Sequence, residues 1–300
     1  MGVADVGLDL RDLHRWCSVA TDDLEGHADL RVPLRICADA AEMAQLMAGE
    51  LVAAVTEAAA AGTTLRAIIP CGPRGWYQPF TDLVNSRRIS LAHLVVFHMD
   101  ECLNWQARPL PAGHPYNFRA FMEASFYGPV DPDLQVPETS RFWPSSANVD
   151  QIAGMLADDP ADIAYGGWGQ DGHVAYNQAR RQPYSPVSLE ELRGSTARVQ
   201  ENNADTVVAL AQREFGGGYQ FVPPMSVTLG MREILGAKRI RLFSDTGSWK
   251  QTALRVGLFS DPTPEYPITL LQEHDDALLT ATRETATHPI ALHPEWDLGL

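Results

Sequence analysis

Residue types suited to acid–base or anion-binding chemistry cluster in a few short stretches of the chain. The clearest is 166–177, GGWGQDGHVAYN, where Asp171 and His173 stand two residues apart among glycines. Imidazole exchanges protons near neutral pH. A carboxylate beside it can orient the ring or polarise a hydroxyl, and Gly172 lets backbone approach a ligand closely. An Asp-Gly turn with a structural histidine has the same pattern. The second stretch is Met99-Asp100-Glu101. Adjacent acids at a strand's end can set one carboxylate over the sheet edge, where Asp100 could take a proton from the carbon beside a carbonyl. Capping of the next segment is the structural alternative. The loop 71–75, CGPRG, lies between a predicted strand and a predicted helix. Helix N-termini hold anions through free N–H groups; Gly72 and Gly75 open the backbone, and Arg74 adds a planar two-donor clamp. A plain tight turn reads the same way. The run Gly247-Ser-Trp-Lys250 offers Lys250 as a point charge, against the alternative of a solvated surface lysine.

These stretches need a scaffold, and the surrounding pattern supplies one. Residues 32–37 read as a first strand. Asp39 then stands as a helix N-cap with Glu42 three residues on. Met43, Met47, Leu51 and Val55 repeat every four residues along one helix face, and Gly62 closes it. Short apolar runs at 65–70, 94–98, 163–167, 239–243 and 277–281 read as strands. Helices are expected from 76 to 83, 118 to 126, 149 to 156 and 225 to 235, and again through Lys250. Residues 129–146 read as a Pro- and Ser-rich linker, and 105–116 as a Pro- and aromatic-rich excursion. Strand, loop and helix in alternation predict an α/β fold: a three-layer, Rossmann-like, mainly parallel sheet with helices on both faces. In such folds ligands bind outside the carboxyl ends of the strands. The loops 71–75, 99–101, 168–173 and 244–250 all fall there. Residues 1–30 read as an extension packed on a single α/β unit spanning 31–300.

Composition narrows the partners. The chain has 300 residues, 45% hydrophobic and 20% charged, with a formal net charge of -15. That balance argues against nucleic acid and against an anionic membrane surface, which need a basic face. It leaves room for a small anion held by a few local cations. Lysine occurs only at 238 and 250. Cys17, Cys37, Cys71 and Cys102 have no CxxC spacing, which excludes zinc-ribbon and thioredoxin readings. Free thiols suit a reducing compartment, and the acidic N-terminus lacks the apolar core of a secretory signal, so a cytoplasmic location is expected.

Together the pieces resemble the glucosamine-6-phosphate deaminase/isomerase family, whose wider fold group includes the 6-phosphogluconolactonases. Residues 97–101, FHMDE, look like that family's Phe-Asn-Met-Asp-Glu. Residues 167–177, GWGQDGHVAYN, look like its Gly-x-Gly-x-Asp-Gly-His-Ile-Ala-Phe-Asn. His114-Pro115 followed by Phe121-Met122 resembles its lid-side segment, and Leu271, Gln272 and His274 match a late Leu-Gln-x-His. The resemblance runs from about residue 32 to 285. Lactonases continue with Ala-Ser-Leu-Phe after the histidine motif, which this chain lacks, so the isomerase branch is favoured.

The resemblance implies roles. Asp100 would move a proton between C2 and C1 of a sugar phosphate, and His173 with Asp171 would open the sugar ring. Lys250 would hold the phosphate, in Gly-Ser-x-Lys, and Arg213 would match a second phosphate-binding cation. No metal or redox cofactor is implied, and a homo-oligomer is compatible with a family that ranges from monomers to hexamers. The reaction would convert a phosphorylated amino sugar to a ketose phosphate and ammonia. A related isomerase or lactone hydrolase with another substrate, or a catalytically weak sugar-phosphate sensor, are the alternatives. Three departures stand in the expected site. The family's ring-opening glutamate is here Gln178, which can hydrogen-bond an imidazole but carries no charge. Its phosphate loop, Thr-Gly-Gly-Thr-Pro, is here 71–75, with Pro73 removing a donor. Its asparagine is here His98.

Overall fold

Runs such as Leu65–Ile69 and Leu94–His98 are mostly apolar and bury side chains on both faces, as the middle of a parallel sheet requires. The computed structural model describes residues 8–179 and 186–300. Within them the strands are β1 (Leu34–Cys37), β2 (Leu65–Ile69), β3 (Leu94–His98), β4 (Asp100–Leu103), β5 (Arg141–Phe142), β6 (Ile163–Gly166), β7 (Arg198–Glu201), β8 (Met225–Thr228), β9 (Ile240–Ser244) and β10 (Ala277–Thr282). Seven of them form one sheet in the order β1-β10-β9-β6-β2-β3-β5, and every pairing in it is parallel. A second, antiparallel sheet has the order β4-β8-β7.

Alternation along each parallel strand builds two cores. Ala67, Ile69, Val96 and Tyr165 pack with the helices Ala40–Ala60 and Tyr77–Arg87. Their neighbours Ile68, Phe97, Ala164 and Leu242 pack with residues of the helices Val149–Asp158, Met231–Leu235 and Gln251–Phe259. The α/β architecture with helices on both faces of a mainly parallel sheet is therefore the one expected. Helix Ala40–Ala60 begins as its sequence predicts. Asp39 accepts a hydrogen bond from the Glu42 N–H at 2.9 Å, while the Glu42 carboxylate accepts from the Ala38 N–H at 2.6 Å. Met43, Met47, Leu51 and Val55 are all buried. Before β1, the helices Leu10–Cys17 and Thr21–Leu24 lie against the body: Cys17 and Leu24 are buried, and the Arg255 guanidinium donates to the Val19 carbonyl at 3.1 Å. Among the described residues no helix is long and apolar enough to cross a membrane.

Some elements differ from the sequence pattern. Residues 225–235 are not one helix. Met225–Thr228 is the central strand of the small sheet, and only Met231–Leu235 is helical. Val227 and Thr228 are β-branched, and both edges of the strand find partners, Asp100–Leu103 on one side and Arg198–Glu201 on the other. The stretch 129–146 is not all linker, because Arg141–Phe142 adds an edge strand beside Val96 and Phe97. The helix expected from 118 to 126 is α-helical only over Phe118–Met122 and continues as a π-turn, Glu123–Tyr127. Glu101 does not end a strand; it lies within β4.

Gly230 separates strand from helix at 229–231, and its place is sterically closed. A Cβ there would lie 2.0 Å from the Ser195 carbonyl oxygen, a backbone atom. Gly230→Ala is expected to cost about 2 kcal/mol or more, read as a lower urea midpoint at unchanged slope. A variant as stable as the parent would show that the Ser195 turn yields freely.

Candidate active site

The site is assembled where the chain passes from the large sheet to the small one. Met99 stands between β3 and β4. Its N–H donates to the Ile69 carbonyl at 3.0 Å, and its carbonyl accepts from the Leu229 N–H at 2.9 Å. One residue thus ties β2 to the segment after β8, and the next residue, Asp100, emerges at the carboxyl edge of the parallel sheet. Burial, and then the charge of Glu101, push the Asp100 carboxyl up to about 8. Glu101 itself points elsewhere. Its carboxylate accepts from the N–H groups of Cys102 (2.9 Å), Phe118 (2.8 Å) and Arg119 (2.7 Å), so it secures the start of helix Phe118–Met122. Burial raises its pKa against the pull of those three donors.

The loop after β6 carries the imidazole. His173 Nδ1 lies 2.6 Å from an oxygen of Asp171, which is only 5% exposed. Burial favours the neutral acid at Asp171, but the His173 charge and hydrogen bonds outweigh it and hold the carboxyl below its ordinary value. The pairing leaves Nε2 as the free face of the ring. The loop is folded tightly: the Gly169 N–H donates to the His173 carbonyl at 2.9 Å, and a Cβ on Gly169 would fall within 2.1 Å of the imidazole. Tyr176 stacks parallel to the ring at 6.0 Å. Gly172 lies behind, its carbonyl accepting from the Ile268 N–H at 2.8 Å.

A cavity of about 240 Å³ joins these groups, and its wall includes Gly72, Asp100, His173 and Lys250. Lys250 precedes helix Gln251–Phe259, and its carbonyl accepts from the Trp168 indole at 3.4 Å. Burial lowers its pKa to about 8; Asp245 acts against that shift, and Arg213 with it. The polar wall residues not singled out from the sequence as site residues include Tyr116, Tyr176, Thr206 and Asp245. Tyr176 belongs to the histidine motif and Asp245 to the turn after β9, so their positions carried a signal. Thr206 and Tyr116 carried none, because each arrives from a loop or helix remote in sequence.

The remaining expected residues do not form the wall. Asp171 acts from behind His173. The Arg74 guanidinium lies 3.8 Å over the Phe121 ring and donates to the Pro115 carbonyl at 3.4 Å. Gly75 sits behind the cavity, its Cβ direction facing the Asp245 carboxylate at 3.7 Å. Arg213 stacks 3.0 Å over the Trp249 ring, with the Lys250 ammonium 4.8 Å from that ring. His98 is buried, stacked on Trp143 at 3.4 Å and bonded to the Tyr127 hydroxyl at 2.9 Å; burial and the Arg141 and Arg119 charges keep it neutral. Gln178 makes no hydrogen bond to His173. Its amide donates to Thr206 at 2.5 Å and accepts from the Asn203 N–H at 2.9 Å, so it fastens helix Ala204–Glu214. Gln170 adds a bond to the Asp205 carbonyl at 2.8 Å.

No protein-family model matches the chain. Curated relatives do. The chain is 28% identical over 219 residues to a glucosamine-6-phosphate deaminase of Aliivibrio fischeri, covering 70% of this chain and 75% of that one. To the deaminase of Erwinia tasmaniensis it is 29% identical over 223 residues, covering 69% and 73%. It is similar to the glucosamine-6-phosphate deaminases. The resemblance seen in 97–101 and 167–177 is thereby borne out. Among solved structures, a monomeric glucosamine-6-phosphate deaminase superposes with a TM-score of 0.71 at 22% identity, over 85% of this chain and 98% of that one. A 6-phosphogluconolactonase from Shewanella baltica gives 0.57 at 17%, over 83% and 97%. At these identities the superpositions establish the shared fold.

The Gln178 contacts make a measurable claim. Gln178→Ala is expected to lose about 1–2 kcal/mol of stability as the buried Thr206 hydroxyl and the half-buried Asn203 N–H go unpaired. Gln178→Glu is expected to recover most of it, because a carboxylate can accept from both the Asn203 N–H and the Thr206 hydroxyl. Chemical denaturation of the variants checks this; equal stability of Gln178→Ala and parent would disprove the anchoring.

Proposed function

We propose that the chain converts glucosamine 6-phosphate and water to fructose 6-phosphate and ammonia. The observation that carries this reading is one cavity bounded by the half-buried Asp100 carboxyl, an imidazole oriented by an aspartate, and a lysine. Similarity to the deaminases supports it.

Each group has a task that suits its surroundings. Lys250 holds the phosphate as a point charge. His173, with Asp171 fixing Nδ1, takes the proton of the C1 hydroxyl through Nε2 and returns it to the ring oxygen, which opens the ring. The Asp100 carboxylate takes the C2 proton. The electron pair moves into a C1–C2 double bond while the aldehyde oxygen takes the proton that the substrate's C2 ammonium gives up. Asp100 then delivers its proton to C1, leaving an imine at C2. Water adds to that carbon, and ammonia departs as the ketone forms. Asp100 suits a base that must also act as an acid, since burial brings its pKa near neutrality. The same reading includes a cytoplasmic location, which suits four free, buried thiols.

Ammonia release from purified protein supplied with glucosamine 6-phosphate tests the reading, with Asp100→Asn as the control. Turnover that falls about a thousandfold or more in the variant is the expected result. Absence of turnover in the folded parent would refute the assignment.

The acid–base assignments also set a pH profile. Asp100 is active as the carboxylate, so kcat/KM should rise with pH until about 8. Lys250 loses its proton at about 8, so affinity for the phosphate should fall above that pH. The expected curve is a bell near pH 8 whose descending limb moves to higher pH in Lys250→Arg. A profile that stays flat below the maximum would exclude Asp100 as the base.

A further inference from the structure

Among the described residues, Asp245 is the one acidic residue of the cavity wall that the mechanism above leaves without a task. It directly follows β9 and precedes Lys250 by five residues; both line the cavity, and its charge acts on Lys250. Its Oδ2 faces the loop 71–75, 3.7 Å from where a Gly75 Cβ would stand. Among the described residues its carboxylate makes no hydrogen bond and no ion pair. The cavity wall thus contains the Lys250 ammonium and the Asp245 carboxylate, with the Arg213 guanidinium set back on the Trp249 ring.

A phosphate that reaches Lys250 enters beside a fixed negative charge. We propose that Asp245 is a specificity-determining residue that competes with the substrate's phosphate for the Lys250 end of the cavity, weakening the hold on a doubly charged group. The inference rests on the sugar-phosphate reading of this cavity, but its test does not depend on turnover. Like charges sharing one cavity, partly screened from water, oppose binding strongly enough to read in an affinity. Neutralising Asp245 removes that opposition without touching Asp100 or His173. Asp245 also acts to keep Lys250 charged, so neutralising it brings the lysine closer to losing its proton, and the variants are compared at a pH well below the value of about 8 that Lys250 has in the parent.

The test measures inorganic phosphate affinity by titration calorimetry, and ammonia release from glucosamine 6-phosphate, for the parent, Asp245→Asn, Asp245→Ser and Asp245→Glu. Each variant is first checked by thermal melting. The Asn and Ser variants are expected to bind phosphate about tenfold more tightly, with KM lowered in proportion and kcat within about twofold, since the charge acts on binding. The Glu variant, which keeps the charge, is expected to bind as weakly as the parent. Unchanged or weaker phosphate binding in both folded neutral variants overturns the proposal, whatever the turnover. Tighter phosphate binding without ammonia release from any of the proteins upholds the competition and refutes the deaminase assignment instead.

Discussion

The site depends on the two hydrogen bonds of Met99. Its N–H is the last rung between β3 and β2, and its carbonyl takes the N–H of Leu229 just past β8. A chain leaving a parallel sheet normally runs into a loop. Here it is handed directly to an antiparallel sheet, with both peptide groups satisfied. Asp100 is therefore not at a loose strand end. It is fixed by β-pairing opposite Thr228 immediately after its chain has crossed the edge where the other functional loops converge. The loops after β2, β6 and β9 reach the same edge because their strands all run in the same direction.

Around that junction the acids have separate employment. The Asp100 carboxyl is deprived of water and has no cation to offset the loss, so its proton is held near neutral pH. Asp171 is more enclosed still, yet it faces an imidazole at 2.6 Å, and the attraction reverses the sign of the shift. Glu101 is consumed by three backbone N–H groups. Three carboxylates close together thus differ by what each finds within hydrogen-bond reach, not by residue type. In a chain with a formal charge of -15, the local arrangement of a few groups governs anion recognition, and net charge says little about it.

Elements with local signals were legible. Asp39, Glu42 and the four-residue repeat from Met43 to Val55 defined a helix from its own residues, and the strands 65–69 and 94–98 declared themselves by mostly apolar character. Elements whose stability comes from a distant partner were not. Met225–Thr228 carries apolar residues compatible with a helix, and only pairing with Asp100–Leu103 and Arg198–Glu201 makes it a strand. Arg141–Phe142 is two residues long and exists because β3 offers a free edge.

Residue types and spacing alone fixed the α/β order and put Asp100, His173 and Lys250 on loops that follow strands, because those are local properties of the chain. The sequence also marked Glu101, Arg74, Arg213 and Gln178 as candidates, since a side chain's chemistry is visible in its name. Which way each side chain turns was a tertiary decision. Gln178 meets Thr206 and Asn203 across a gap of more than twenty residues, Arg74 lies on Phe121, and Arg213 lies on Trp249. Asp245 came to face the loop 71–75 only when β9 was laid between β10 and β6. Hydrogen bonds and charge interactions act over a few ångströms in space, and distance along the chain does not set that separation.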